Sequence, residues 1–93
     1  MARFLLETYV SRSDTAAVDA ETTRARRAAD RLTRTGTAVS HVSAVFVPEE
    51  ETCFHLYEAA SADDVREAAR LAGLAADHVV EAISRGTEID GNE

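Results

Sequence analysis

Apolar and polar positions along this chain change period several times, and each change marks an element. Arg3 to Val10 carries Phe4, Leu5, Leu6, Tyr9 and Val10. This predicts a strand that is apolar on both faces and therefore central in its sheet. Ser11 to Asp14 is a polar break, with Ser13 or Asp14 placed to cap a helix. From Thr15 to about Thr35, Val18, Ala25, Ala28, Ala29 and Leu32 recur at helical spacing and predict one amphipathic helix. Its acids, Asp14, Asp19 and Glu21, come early and its arginines late, as the helix dipole favours, and Gly36 suits its C-terminal stop. His41 to Val47 and Thr52 to Glu58 read as two strands of a hairpin, turned at Pro48 to Glu51. Ser61 opens a second helix, with Asp63 and Asp64 in its first turn. Val65, Ala68, Ala69 and Ala72 form the buried stripe of that helix, and Gly73 ends it. Val79 to Ile83 is a short fourth strand.

The order strand, helix, strand, strand, helix, strand predicts the ferredoxin-like βαββαβ pattern. It is an α+β sandwich, with both helices on one face of an antiparallel four-stranded sheet. One domain is expected over residues 1–84, and a disordered acidic tail over residues 85–93. No internal repeat is recognisable.

Strand parity then divides the sheet. Even positions are expected beneath the helices: Phe4, Leu6, Val42, Ala44, Phe46, Phe54 and Leu56. Odd positions would line the open face: Leu5, Glu7, Tyr9, His41, Ser43, Val45, Val47, Cys53, His55 and Tyr57. The underlying register pairs Val47 with Cys53 and Val45 with His55. So apolar a face calls for a cover, and the expectation is a homodimer packed face to face.

Composition narrows the chemistry. The chain has 93 residues, which supports one small core, and a net charge of −7. Such acidity argues against unaided binding to nucleic acid or to an anionic membrane. A single cysteine excludes an intrachain disulfide and a four-cysteine zinc site. No apolar run is long enough to span a membrane, and no secretory leader is visible, so a cytoplasmic location is expected. The basic residues are all arginine and alanine is abundant, which points to a GC-rich, actinobacterial genome. Phosphate loops, His-Glu-x-x-His and Gly-x-Ser-x-Gly are missing, so no nucleotide cofactor is expected.

Within the proposed open face, Glu7, Tyr9, Cys53, His55 and Tyr57 form the candidate ligand site. Glu7, Cys53 and His55 offer a carboxylate, a thiol and an imidazole to a divalent metal. His55 or Glu7 could instead serve as a general base. A plainer reading stands beside these. Cys53 is a small apolar filler, and Tyr9 and Tyr57 are packing residues. Glu49 to Glu51 are then a solvated hairpin tip, and the arginines of the first helix a solvated face.

One stretch carries a family resemblance. Val45-Phe46-Val47-Pro48-Glu49-Glu50-Glu51-Thr52-Cys53-Phe54-His55-Leu56-Tyr57-Glu58-Ala59 resembles the hairpin of the bacterial domain-of-unknown-function family 4242. Val65 to Leu74 with Val79-Val80-Glu81 is similar to that family's second helix and last strand, and Arg3 to Glu7 to its first strand. The resemblance covers about residues 3–83. It implies a ferredoxin-like fold of the dimeric α/β-barrel type, homodimerisation, and for part of the family nickel binding. Glu7, Cys53 and Tyr57-Glu58-Ala59 are the positions that match. The chain departs at Ala68, where relatives often carry a histidine, and at Ala75, where they often carry proline. His55 stands where they often carry a second cysteine, which exchanges one metal-binding side chain for another.

Beside a plain interaction module, whose sheet face serves only assembly, two functions follow as expectations. One is a small homodimeric binding protein for nickel, another divalent metal or a small organic ligand. The other is a cofactor-free isomerase, cyclase or oxygenase using a His or Glu base, an analogy resting on fold alone.

Overall fold

The computed structural model describes residues 1–83 and residue 85. The tail expected over residues 85–93 therefore lies, apart from Arg85, outside the described residues. The elements are β1 (Ala2–Tyr9), α1 (Thr15–Arg34), β2 (Val39–Val47), a short 3-10 turn (Pro48–Glu50), β3 (Thr52–Ala59), α2 (Ala62–Leu71) and β4 (Val79–Ala82). The sheet order is β2-β3-β1-β4, with every neighbouring pair antiparallel. This is the ferredoxin-like α+β arrangement that the element order predicted, with β1 and β3 in the centre.

Local chemistry sets the boundaries. The Asp14 side chain accepts from the Ala17 N–H at 3.2 Å and caps α1, and Ser61 caps α2 through the Asp64 N–H at 3.3 Å. Gly36 stops α1 with a φ of +110°, and Gly73 follows α2 with a φ of +76°. Both angles suit glycine far better than a residue with a Cβ.

The core lies between sheet and helices. Phe4, Leu6, Val39, Tyr57 and Ala59 from the sheet meet Ala25, Ala28 and Ala29 of α1 and Val65, Ala68 and Ala69 of α2. Alanine-lined helix faces let both helices approach the sheet closely, so larger side chains on the strands fill the layer.

The register corrects the expected division of faces. Val47 pairs with Thr52, Phe46 with Cys53 and Ala44 with His55. Directly opposed residues share a face, so β3 turns its odd positions towards the helices. Cys53, His55 and Tyr57 are fully buried there, while Phe54 and Leu56 belong to the open face with Leu5 and Glu7, their β1 partners. The cause is the four-residue link from Pro48 to Glu51, which pairs an odd residue with an even one. A bulge between His41 and Ser43 adds a second change of parity within β2. His41 therefore faces the helices, and Val42, expected in the core, is 37% exposed.

Candidate metal centre

A buried polar cluster sits where α1 crosses β1, β3 and β2. Glu21 enters it from α1. It occupies a position of the apolar stripe, three residues after Val18 and four before Ala25, and is 8% exposed. Thr8 comes from β1, Cys53 and His55 from β3, and His41 from the edge strand β2. Thr8 and Cys53 are direct partners across the β1–β3 ladder, as are Leu6 and His55. The ladder thus fixes which side chains lie beneath Glu21.

One carboxylate oxygen organises the group. Glu21 Oε2 accepts from Thr8 Oγ1 at 2.5 Å and lies 2.7 Å from His55 Nε2. Cys53 Sγ is 3.6 Å from the same His55 nitrogen, and His55 Nδ1 is 2.9 Å from His41 Nε2. A carboxylate only accepts, so the pattern assigns a proton to His55 Nε2. For the neutral pair His55 Nδ1 then accepts from His41 Nε2–H. His41 Nδ1 is left bare, and it is indeed buried without a partner, as is the Tyr57 hydroxyl. The His41 and Tyr57 rings meet edge to face, with centroids 5.1 Å apart.

The electrostatics follow from burial and this geometry. Burial pushes the Glu21 carboxyl up, but hydrogen bonds from His55 and Thr8, and the positive fields of His55 and Arg24, outweigh it and leave it below its ordinary value. Burial, with the charges of His55 and Arg26, pulls His41 down to about 4. Burial, then the charge of Glu21 and a hydrogen bond to it, pushes the Cys53 thiol up to about 11. Tyr57 is pushed up to about 12 by burial and by Glu21. Without a bound cation, then, Cys53 is a neutral thiol at neutral pH, not a reactive thiolate.

The donor atoms of Glu21, Cys53 and His55 all lie within 4.8 Å of one another. An ion bound at roughly 2.0–2.3 Å from oxygen, nitrogen and sulfur would hold neighbouring donors roughly 3–3.6 Å apart. The observed 2.7 Å and 3.6 Å separations are close to that range, so the residues suit a single ion with small side-chain adjustments. An acid–base role on a substrate would need access to His55. Its side chain is fully buried, and two surface cavities, of about 300 and 190 Å³, are lined by other residues.

Of the residues singled out in the sequence, the structure brings Cys53, His55 and Tyr57 to one side of the sheet. Glu7 and Tyr9 lie on the other side and are exposed. Glu7 is not beside His55 but opposite Phe54, and its carboxylate is 3.7 Å from His78 Nδ1. The carboxylate beside Cys53 and His55 is Glu21, which the sequence reading counted among the acids suited to the helix dipole. Its place in the three-and-four spacing of the apolar stripe was the available signal. Thr8 and His41 were also missed as parts of the cluster.

Among known proteins, the family model described as "Nickel responsive protein SCO4226-like" matches residues 9–82 of the chain. This agrees with the resemblance carried by the hairpin. No curated protein and no solved structure gives a significant match.

Proposed function

The chain belongs to the SCO4226-like family of nickel-responsive proteins, and from that premise we propose that it holds one nickel-like divalent ion between Glu21, Cys53 and His55. The carrying observation is the convergence of three different donor types, from α1 and β3, within 4.8 Å in the protein interior. A thiolate, an imidazole and a carboxylate together suit borderline divalent ions. A bound cation would supply positive charge where a buried carboxylate and a thiolate otherwise stand close together. Thr8, through its bond to Glu21, and His41, by accepting from His55 Nδ1–H once the His55 proton has moved there from Nε2, would orient two of the three ligands. Glu21 takes the part that the sequence reading gave to Glu7. Three protein ligands also leave room at the ion for water or a small ligand.

Assembly is the second half of the reading. Leu5, Val45, Phe54, Leu56 and Val80 share the face of the sheet that the helices leave uncovered. Val45 is 57% and Val80 47% exposed. A second copy packed on this face would cover them, giving a homodimer with its metal centres away from the seam. Among the described residues no helix is long and apolar enough to cross a membrane, and a cytoplasmic location completes the proposal.

The test is calorimetric titration of the tag-free protein with nickel and with zinc near pH 7. The expected result is about one ion per chain, with binding lost in His55→Ala and in Glu21→Gln. Circular dichroism would confirm that both variants fold. Unchanged stoichiometry and affinity in the folded variants would overturn the site, and absence of binding in the wild type would overturn the function.

A further inference from the structure

We infer that the groove between α1 and the end of α2 is a binding site for a phosphate group. Its cavity, of about 190 Å³, is lined by Arg24, Arg27 and Arg31 together with Ala28, Leu71 and Ala72. The proposal does not depend on the metal centre, because none of these residues is one of its proposed ligands, and Arg24 adds only a positive field at Glu21.

The three arginines stand three and four positions apart, so they share one face of α1. Like charges at that spacing repel one another and need a counter-charge. Among the described residues, no carboxylate lies within ion-pair distance of Arg24, Arg27 or Arg31. On α2, Asp63 pairs with Arg66 and Glu67 with Arg70, each at 2.7 Å. Three guanidinium groups thus stand without an ion-pair partner among the described residues, in a chain whose net charge is −7.

The groove is also partly preorganised. Arg24 Nε donates to the Ala72 carbonyl at 2.9 Å, which ties the arginine to the last turn of α2. Ala28 and Ala72 are buried, at 6% and 5% exposure, and their small side chains leave a hollow beneath the guanidinium groups. Planar guanidinium forks match the oxygens of a phosphate group, and two or more of them can share one dianion. The volume admits a phosphate group with a small organic remainder, so free phosphate and a phosphate ester are both possible sources.

The test titrates the full-length, metal-free protein with inorganic phosphate, and separately with ribose 5-phosphate, by calorimetry and by ¹⁵N-resolved NMR. Titrations are run at low salt and at about 0.15 M, where loose surface attraction is screened. The expected result is saturable one-site binding at both salt concentrations, with shifts at the amides of Arg27, Arg31 and Ala72. The Arg27→Gln/Arg31→Gln variant should bind roughly tenfold more weakly or worse. Both substituted side chains are exposed, and neither makes a side-chain hydrogen bond or ion pair to another described residue. Tighter binding of ribose 5-phosphate than of inorganic phosphate identifies an ester as the ligand, and equal binding identifies free phosphate. The inference is overturned if neither probe saturates, if binding disappears at the higher salt, or if the double variant binds as the wild type does.

Discussion

Glu21 and His55, thirty-four positions apart in the chain, meet through a 2.7 Å contact between Oε2 and Nε2 in the protein interior. The contact joins a helix to the sheet strand beneath it. It also means that the carboxylate already has partners in the protein, so metal uptake at the proposed site would exchange one set of bonds for another.

That exchange has a proton count. The Cys53 thiol, pushed up to about 11, is protonated at pH 7, and a thiol ligates as the thiolate. Nickel binding near neutral pH should therefore release at least one proton per ion. Calorimetry in buffers of different ionisation enthalpy measures this number. Cys53→Ser should reduce it by about one and weaken binding.

Removing the Glu21 charge should be felt at Cys53. Glu21→Gln keeps the side-chain shape but withdraws one cause of the raised thiol pKa. The thiolate absorbance of the folded variant should then titrate at lower pH than in the wild type. The same variant loses charge-assisted hydrogen bonds to Thr8 and His55, at a cost of about 1–3 kcal/mol. In a domain of this size each kcal/mol lowers the melting temperature by about 4–8 °C, which a thermal scan would show.

Acid should weaken the fold in a defined window. His41 is lowered from 6.5 to about 4 in the folded chain, so the unfolded chain takes up that proton first. The stabilisation is complete above pH 6.5 and is lost as the pH falls towards 4, by at most about 1.4 kcal/mol per pH unit from this group. Glu21, also lowered, adds a further loss below its ordinary value of 4.5. Urea titrations between pH 7 and pH 4 should show this slope in the wild type. It should be flatter between pH 6 and pH 5 in His41→Asn.

Alkali acts through the opposite sign. Cys53 is raised from 9.0 to about 11, and Tyr57 from 10.0 to about 12. The unfolded chain therefore loses these protons first, and stability present below pH 9 declines as the pH rises towards 11. Cys53→Ala should retain more of its neutral-pH stability at pH 10 than the wild type does, as read by the urea midpoint.

The uncovered face of the sheet gives a test of assembly. Leu56→Arg places a charge in the middle of the apolar surface formed with Leu5 and Phe54, and leaves the helix side untouched. Sedimentation equilibrium at micromolar concentration should show a dimer for the wild type and a monomer of about 10 kDa for the variant. A wild-type monomer would remove the dimer from the proposal.

The element order was legible in the sequence because helical and strand periods, capping residues and glycines agreed with one another. Asp14 and Ser61 cap the helices, and Gly36 and Gly73 end them. The division of faces was not legible, because parity does not carry through an irregular connection. Pro48 to Glu51 pairs Val47 with Thr52, and the bulge beside Val42 changes the phase of β2. A one-residue difference then moves Cys53, His55 and Tyr57 from the open face into the core. The Cys53–His55 half of the cluster was visible as a period-two pair on one strand. Its carboxylate was not, because Glu21 lies on another element, and only the packing of α1 on the sheet brings it near.

The bulge in β2 also bears on how copies of this chain behave when crowded. β2 and β4 form the two rims of the sheet, where unpaired backbone groups would otherwise recruit further strands. The first rim is interrupted between His41 and Ser43, and the second is only four residues long. Neither offers a straight template of useful length. Both rims are thereby poor templates for the edge-to-edge strand addition that builds fibrils.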